Sequence, residues 1–145
     1  MRSRSWGGER SGQALANLAL LLGRILIAAI FVPSGFGKLT HIDHFAHVLV
    51  GRGVPAPHAL AIIGACVEFF GSLAIVFGFL TRYAALLMAA FTLVAALIAH
   101  RFWAAAGAAE AAQYTQFMKN MAILGGFLFL FVAGPGRYSI GRGGR

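Results

Sequence analysis

An apolar stretch from Leu15 to Leu39 carries a single arginine, Arg24, near its middle. About 20 apolar residues, rising ~1.5 Å each, span the ~30 Å hydrocarbon layer of a bilayer, so the stretch predicts a transmembrane helix. An unpaired arginine at that depth costs roughly 2.5 to 3.5 kcal/mol on insertion scales, and such a residue usually faces the interior of a helix bundle. Glu68, near the middle of the second apolar segment, is the obvious candidate partner.

The composition excludes an ordinary soluble domain. Of the 145 residues 59% are hydrophobic and only 11% are charged, whereas soluble domains have about 25% charged residues. The formal net charge of +8 would suggest nucleic acid binding in a soluble protein. Here the basic residues lie at the ends of apolar spans, which indicates membrane topology and no nucleic acid partner. Cys66 is the one cysteine, so the chain has no dithiol pair, and we interpret it as inert packing.

The order of polar and apolar segments predicts an all-α transmembrane four-helix bundle. A polar leader covers residues 1–13, the membrane domain covers 14–134 and a basic, glycine-rich tail covers 135–145. The four spans are predicted at about 14–37, 58–80, 82–100 and 117–134.

The basic residues outside the spans predict the orientation. Seven of them fall on the side of the termini and four on the other side. By the positive-inside rule both termini are therefore expected in the cytoplasm, and all five histidines on the outer side.

Arg24 and Glu68 are predicted to form a buried polar centre. Counted from the cytoplasmic ends of their spans, they lie about 15 Å and about 18 Å deep at ~1.5 Å per residue. Small residues next to each charge permit close helix contact and a guanidinium to carboxylate fork. Asn17, seven residues before Arg24, is on the same helix face. Two interpretations stay open, a clamp that fixes the helices or a site for a quinone head group or small anion.

Two further groups of polar residues fall on the predicted outer side. His100 ends the third span, and Lys119 and Asn120 lie at the start of the fourth, so the three are candidates for one polar cluster. The alternative is that Lys119 and Asn120 are ordinary anchors at the membrane interface.

Three histidines, His41, His44 and His47, recur every three residues in an amphipathic segment. They are weak metal-ligand candidates, because this spacing turns successive side chains about 60° around a helix and makes them fan out. A solvated helix face is the favoured interpretation, and no metal site is predicted.

Several short motifs occur in an order that resembles the DoxX family, over about residues 20–139. They are Arg24, the pattern of Gly35, Lys38 and Leu39, residues 53–55, Glu68, residues 78–82, His100, Lys119 with Asn120, and residues 134–139. The resemblance implies a four-helix protein of the bacterial inner membrane. It also implies a role as the membrane subunit of a thiosulfate:quinone oxidoreductase or as the membrane partner in a redox-stress complex. The acidic residue often found after the last motif is absent, since Ile140 and Gly141 follow it here.

The leading functional hypothesis is therefore a membrane subunit that supports quinone-linked redox chemistry. The sequence shows no haem, flavin or iron–sulfur motif, so no intrinsic cofactor is expected, and a quinone is the candidate ligand. The candidate partners are the lipid bilayer, a soluble redox protein that supplies electrons and a second copy of the chain. The alternatives are a non-catalytic membrane scaffold for a redox-stress complex and a small transporter.

Overall fold

The structure, a computed structural model, describes residues 6–141, with side chains from residue 11 onward. The first five residues of the predicted leader and the last four of the tail lie outside this range. The described part is helical and contains no strand, which confirms the predicted fold class. Its elements are α1 (Trp6–Ala28), α2 (Phe31–Thr40), α3 (Ile42–Gly51), α4 (Pro57–Phe77), α5 (Thr81–Ala99), a 3-10 turn (Phe102–Ala104) and α6 (Ala108–Ala133).

Within residues 6–141, four helical segments are long and apolar enough to cross a membrane. They are Ser11–Thr40, Pro57–Phe77, Thr81–Ala104 and Ala108–Ala133. Four crossings place both ends of the membrane domain on one side of the bilayer. That this side is the cytoplasm stays a prediction from the charge bias.

The first of these segments combines α1 and α2, with an interruption at residues 29–30. Pro33 has no backbone N–H to donate to the carbonyl of Ala29, and the interruption falls at that carbonyl. In α2 itself Pro33 lies in the first turn, where a missing donor is tolerated. The helix continues to Thr40, three residues beyond the predicted end of the span, and so includes Lys38.

A tight turn joins α4 to α5 and receives the start of the tail. Gly78 ends α4 with a φ of +72°, a left-handed conformation that glycine adopts without steric cost. The backbone N–H groups of Ile140 and Gly141 donate to the carbonyls of Phe77 and Gly78, at 3.0 and 3.2 Å. We call residues 134–141 the docked tail, the end of the bundle that carries it the tail face, and the opposite end the far face.

The helices enclose two apolar clusters. The larger one joins α1, α2, α4, α5 and α6, and includes Phe31, Ile75, Met88 and Phe127. The smaller one, near the far face, packs Ala46 and Leu49 of α3 against Ala61 of α4. The amphipathic segment predicted around residues 42–49 is thus a helix whose apolar face rests on α4.

Candidate functional site

Glu68, near the middle of α4, is paired with Lys38 of α2. The Nζ atom of Lys38 donates to Oε2 of Glu68 at 2.5 Å. The carboxylate side chain is only 3% exposed, while that of Lys38 keeps 30% of its surface. Nζ also lies 5.0 Å from the ring centroid of Phe45, within the range of a cation–π contact. A charge-assisted hydrogen bond between opposite charges is the arrangement that makes a buried carboxylate tolerable.

Close contact between α2 and α4 positions this pair. A Cβ atom at Gly35 would lie 2.7 Å from the backbone nitrogen and 2.8 Å from the Cα of Phe69. Only glycine permits that approach, since the obstructing atoms belong to the main chain. Gly35 is one helical turn before Lys38, and Phe69 follows Glu68 directly. The contact therefore brings the two charged side chains together.

Lys38 also forms part of the wall of an apolar groove between α3, α4 and α5, which we call the α3–α5 groove. Its volume is about 400 Å³, within the range of ligand pockets. Phe45, Gly64 and Phe91 line it, and a Cβ atom at Gly64 would be in ordinary van der Waals contact with both rings, 3.8 Å from each. At the far face the groove ends beside Arg52, whose carbonyl accepts a hydrogen bond of 2.7 Å from Arg101.

Arg24 and Asn17, the other two residues of the predicted polar centre, both hold the docked tail. Arg24 is 1% exposed, and its Nη2 donates to the backbone carbonyl of Tyr138. The side-chain oxygen of Asn17, also buried, accepts from the backbone N–H of Arg137 at 3.0 Å. These contacts connect α1 to a segment more than 110 residues away in sequence.

The predicted fork between Arg24 and Glu68 is therefore not formed, and each charge has a different partner. The guanidinium group lies against Gly78, at the tail end of α4. Gly78 is ten residues beyond Glu68, about 15 Å along a helix at ~1.5 Å per residue. The depth estimate failed because it placed the start of the first span at residue 14. Docking of Gly136 against Asn17 and Leu20 shows that this part of α1 lies at the tail face.

The predicted cluster at the far face is also rearranged. Nδ1 of His100 is 3.0 Å from Oε1 of Gln113, which lies six residues, or about 9 Å of helix, before Lys119. Asn120 instead donates to the carbonyl of Gln116 at 3.3 Å in its own helix. The cause is that α6 begins at Ala108, well before the predicted span, so an earlier part of it is level with His100.

The histidines of the amphipathic segment interact with backbone groups or lie exposed. Nδ1 of His41 is 3.1 Å from the carbonyl of Gly37, Nδ1 of His47 is 2.8 Å from that of Asp43, and His44 is exposed. Within the residues that the structure describes, no three His, Cys, Asp or Glu side chains are grouped to hold a metal ion. A pairing that the sequence did not suggest joins His58 to Asp43 at 3.1 Å.

Lys38 is the site residue that the sequence reasoning missed as a partner of Glu68. The first span predicted from the sequence ends at about residue 37, which leaves Lys38 just outside it. The missed signal is helical spacing, since Phe31, Gly35 and Lys38 follow Arg24 by 7, 11 and 14 residues and so share its helix face. Phe31 and Gly35 are both buried, as this face requires.

Comparison with known proteins places this sequence in a family. The sequence profile of the DoxX family matches residues 19–101, a range that includes Arg24, Lys38 and Glu68. The chain belongs to the DoxX family.

Two curated relatives of this DoxX-family protein come from Escherichia coli (strain K12). Inner membrane protein YqjF is 41% identical over 128 residues, covering 88% of this chain and 93% of the relative. Inner membrane protein YphA is 37% identical over 123 residues, covering 85% and 88%. No solved structure matches the chain. With its four candidate spans, this DoxX-family protein is a multi-pass protein of the inner membrane.

Proposed function

We propose that this protein is a membrane subunit that supports quinone-linked redox chemistry, and that the α3–α5 groove holds the quinone. The observation that carries the proposal is the ammonium group of Lys38 at the wall of a groove of about 400 Å³ whose lining is apolar apart from Lys38 and, at the far face, Arg52. Ligand sites typically combine apolar walls with a few polar groups that fix orientation. A quinone matches this pattern, because its ring and isoprenoid chain are apolar and its carbonyl oxygens accept hydrogen bonds.

The Lys38–Glu68 pair supplies what the polar end of a quinone requires. An ammonium has three N–H donors, and Glu68 accepts one of them. A second donor serves a quinone carbonyl, while the rings of Phe45 and Phe91 flank the groove on either side of Gly64. Because the groove runs from mid-bundle to the far face between exposed apolar residues, a quinone enters it from the bilayer.

Reduction of the bound quinone to quinol takes up two electrons and two protons. In this proposal both electrons come from a partner protein that oxidises a sulfur compound such as thiosulfate. The Lys38–Glu68 pair passes one proton to a reduced oxygen and is reprotonated from the far face, and the second proton reaches the other oxygen from water at the groove mouth. Lys38 thus orients the ring and neutralises the charge that develops on its oxygen.

Photolabelling tests the binding step. The protein in proteoliposomes is irradiated with an azido-substituted short-chain quinone, and the labelled peptides are identified by mass spectrometry. Labels are expected on α3, α4 and α5 around Lys38. Gly64→Leu fills the groove and is expected to lower labelling about tenfold, which corresponds to ~1.4 kcal/mol of binding. Gly37→Leu is the matched control, because a Cβ atom there meets nothing within 4 Å and the residue does not line the groove.

Labels that excess unlabelled quinone fails to displace, or equal labelling of the two variants, would contradict quinone binding in this groove. The redox step is tested separately on the protein purified with its native partners, by following quinone absorbance after thiosulfate is added. Specific labelling without any reduction in that complex would reject the redox role and retain the binding site.

A further inference from the structure

A second cleft, between α1 and α6 near the tail face, has features of a lipid site. We call it the α1/α6 cleft; its volume is about 490 Å³. Ala19, Gly23, Gly126 and Ala133 are small residues that open it, and Arg24 is the one charged residue in its lining. A Cβ atom at Gly23 would meet nothing within 4 Å. The space is therefore large enough for a hydrocarbon chain to lie along the helices.

The guanidinium group of Arg24 has hydrogen-bonding capacity that the protein does not use. Nη2 donates to Tyr138, but Nε and Nη1 are buried and have no hydrogen-bond partner among the described residues. Leaving donors of a charged group buried and unpaired is costly, and such groups usually have a bound water, ion or ligand as partner. Among the residues whose side chains the structure describes, no carboxylate forms a salt bridge with Arg24, and Glu68 is paired with Lys38.

We propose that the α1/α6 cleft binds one anionic phospholipid, with the phosphate on Arg24 and an acyl chain along α1 and α6. Arg24 lines the cleft, but its nitrogens face the Gly78 turn and the docked tail and have almost no accessible surface. Binding therefore requires the guanidinium group to turn toward the cleft. Arginine binds phosphate oxygens through a planar fork of N–H donors. Exposed Arg82 and Arg137 lie at the same end of the bundle and favour an anionic head group. The inference does not depend on quinone binding, which concerns the opposite part of the molecule.

Native mass spectrometry of the detergent-purified protein tests the proposal by counting retained phospholipids. Gly23→Leu blocks the cleft and leaves Arg24 in place; leucine also favours a helix more than glycine does, so the variant is expected to fold. Gly125→Leu is the matched control, since it adds the same side chain on α6 at an open position outside the cleft lining. Arg24→Gln removes the charge, and where it fails to fold, Gly23→Leu decides.

The parent and Gly125→Leu are expected to retain about one phospholipid per chain, and Gly23→Leu and Arg24→Gln about tenfold less, a factor equal to ~1.4 kcal/mol. In a second arm, phosphatidylglycerol added to delipidated protein is expected to raise the melting temperature, whereas phosphatidylcholine or inorganic phosphate at equal ionic strength is not. Equal retention in Gly23→Leu and Gly125→Leu, or equal stabilisation by inorganic phosphate, would overturn the proposal. Loss of a dimer in Gly23→Leu would instead assign the cleft to a second copy of the chain.

Discussion

The buried charges of this protein are stabilised in two different ways. Glu68 and Lys38 form a pair of opposite charges in contact, so this centre is close to neutral. Arg24 has a neutral backbone carbonyl as its partner and remains a net positive charge at the tail face. In a low-dielectric interior an ion pair avoids most of the cost of a lone charge, because each partner replaces some of the lost hydration. The two centres therefore differ in what they can attract, an acceptor group at Lys38 and an anion at Arg24.

A double-mutant cycle distinguishes these two centres. Glu68→Gln leaves the Lys38 ammonium without its counter-charge, and Lys38→Met leaves the carboxylate without one, so each is expected to destabilise the protein by about 3 kcal/mol. The double variant is expected to lose at least 1 kcal/mol less than the sum, as measured by unfolding in detergent and SDS mixtures.

Combining Arg24→Gln with Glu68→Gln provides the control cycle. These residues share no partner, so their effects are expected to add within about 0.5 kcal/mol. Strong coupling between Arg24 and Glu68, with additive effects for Lys38 and Glu68, would show that Glu68 pairs with Arg24 and would contradict the Lys38–Glu68 pair.

At the scale of helices, the contact of α2 with α4 decides whether the Lys38–Glu68 pair can form. Gly35→Ala is expected to destabilise the protein by about 1 to 3 kcal/mol, since the added methyl meets the backbone of Phe69 and the helices must move apart. Gly37→Ala, two residues further along α2, adds a methyl to open space. It is expected to be neutral or slightly stabilising because alanine favours a helix. Unfolding in detergent measures both, and equal stabilities of the two variants would show that α2 does not pack on α4 at Gly35.

Hydropathy alone predicted that the chain forms a membrane-embedded helical bundle, because each span needs a long apolar segment whatever its neighbours are. Hydropathy did not predict which charged residues pair with each other. Lys38 looked like the end of a span, since a count of apolar residues treats any lysine as polar. In the structure the helix continues past Lys38, because Glu68 accepts a hydrogen bond from its ammonium group and balances its charge.

The partner of Arg24 was unpredictable for a different reason. It is a backbone carbonyl of Tyr138, a group that every residue carries, and it reaches Arg24 only because the tail turns back onto the Gly78 turn. A contact with a backbone carbonyl cannot be recognised from the pattern of residue types in a sequence. Asn17 was correctly placed on the face of Arg24, but its role in holding the tail depends on the same return of the chain.

For the whole molecule, the number of spans predicts which segments lie on the same side of the bilayer, and the distribution of charge predicts which side is the cytoplasm. Four candidate spans place Tyr138, in the docked tail, and Glu110, in the first turn of α6, on opposite sides of the bilayer. The excess of basic residues on the side of the termini, seven against four, or against three when Lys38 in α2 is left out, then predicts that Tyr138 lies in the cytoplasm. Both side chains are exposed and neither is among the counted charges, so each can be replaced without altering the bias.

Cysteine labelling in Escherichia coli tests this orientation. In a Cys66→Ala background, Glu110→Cys is expected to react with a membrane-impermeant maleimide in intact cells. Tyr138→Cys is expected to react only after the inner membrane is permeabilised, since the cytoplasm excludes the reagent. The Cys66→Ala chain without a new cysteine gives the background. Labelling of Tyr138→Cys but not Glu110→Cys in intact cells would show the reverse orientation. The α3–α5 groove would then open toward the cytoplasm, and Arg24 would lie in the outer leaflet.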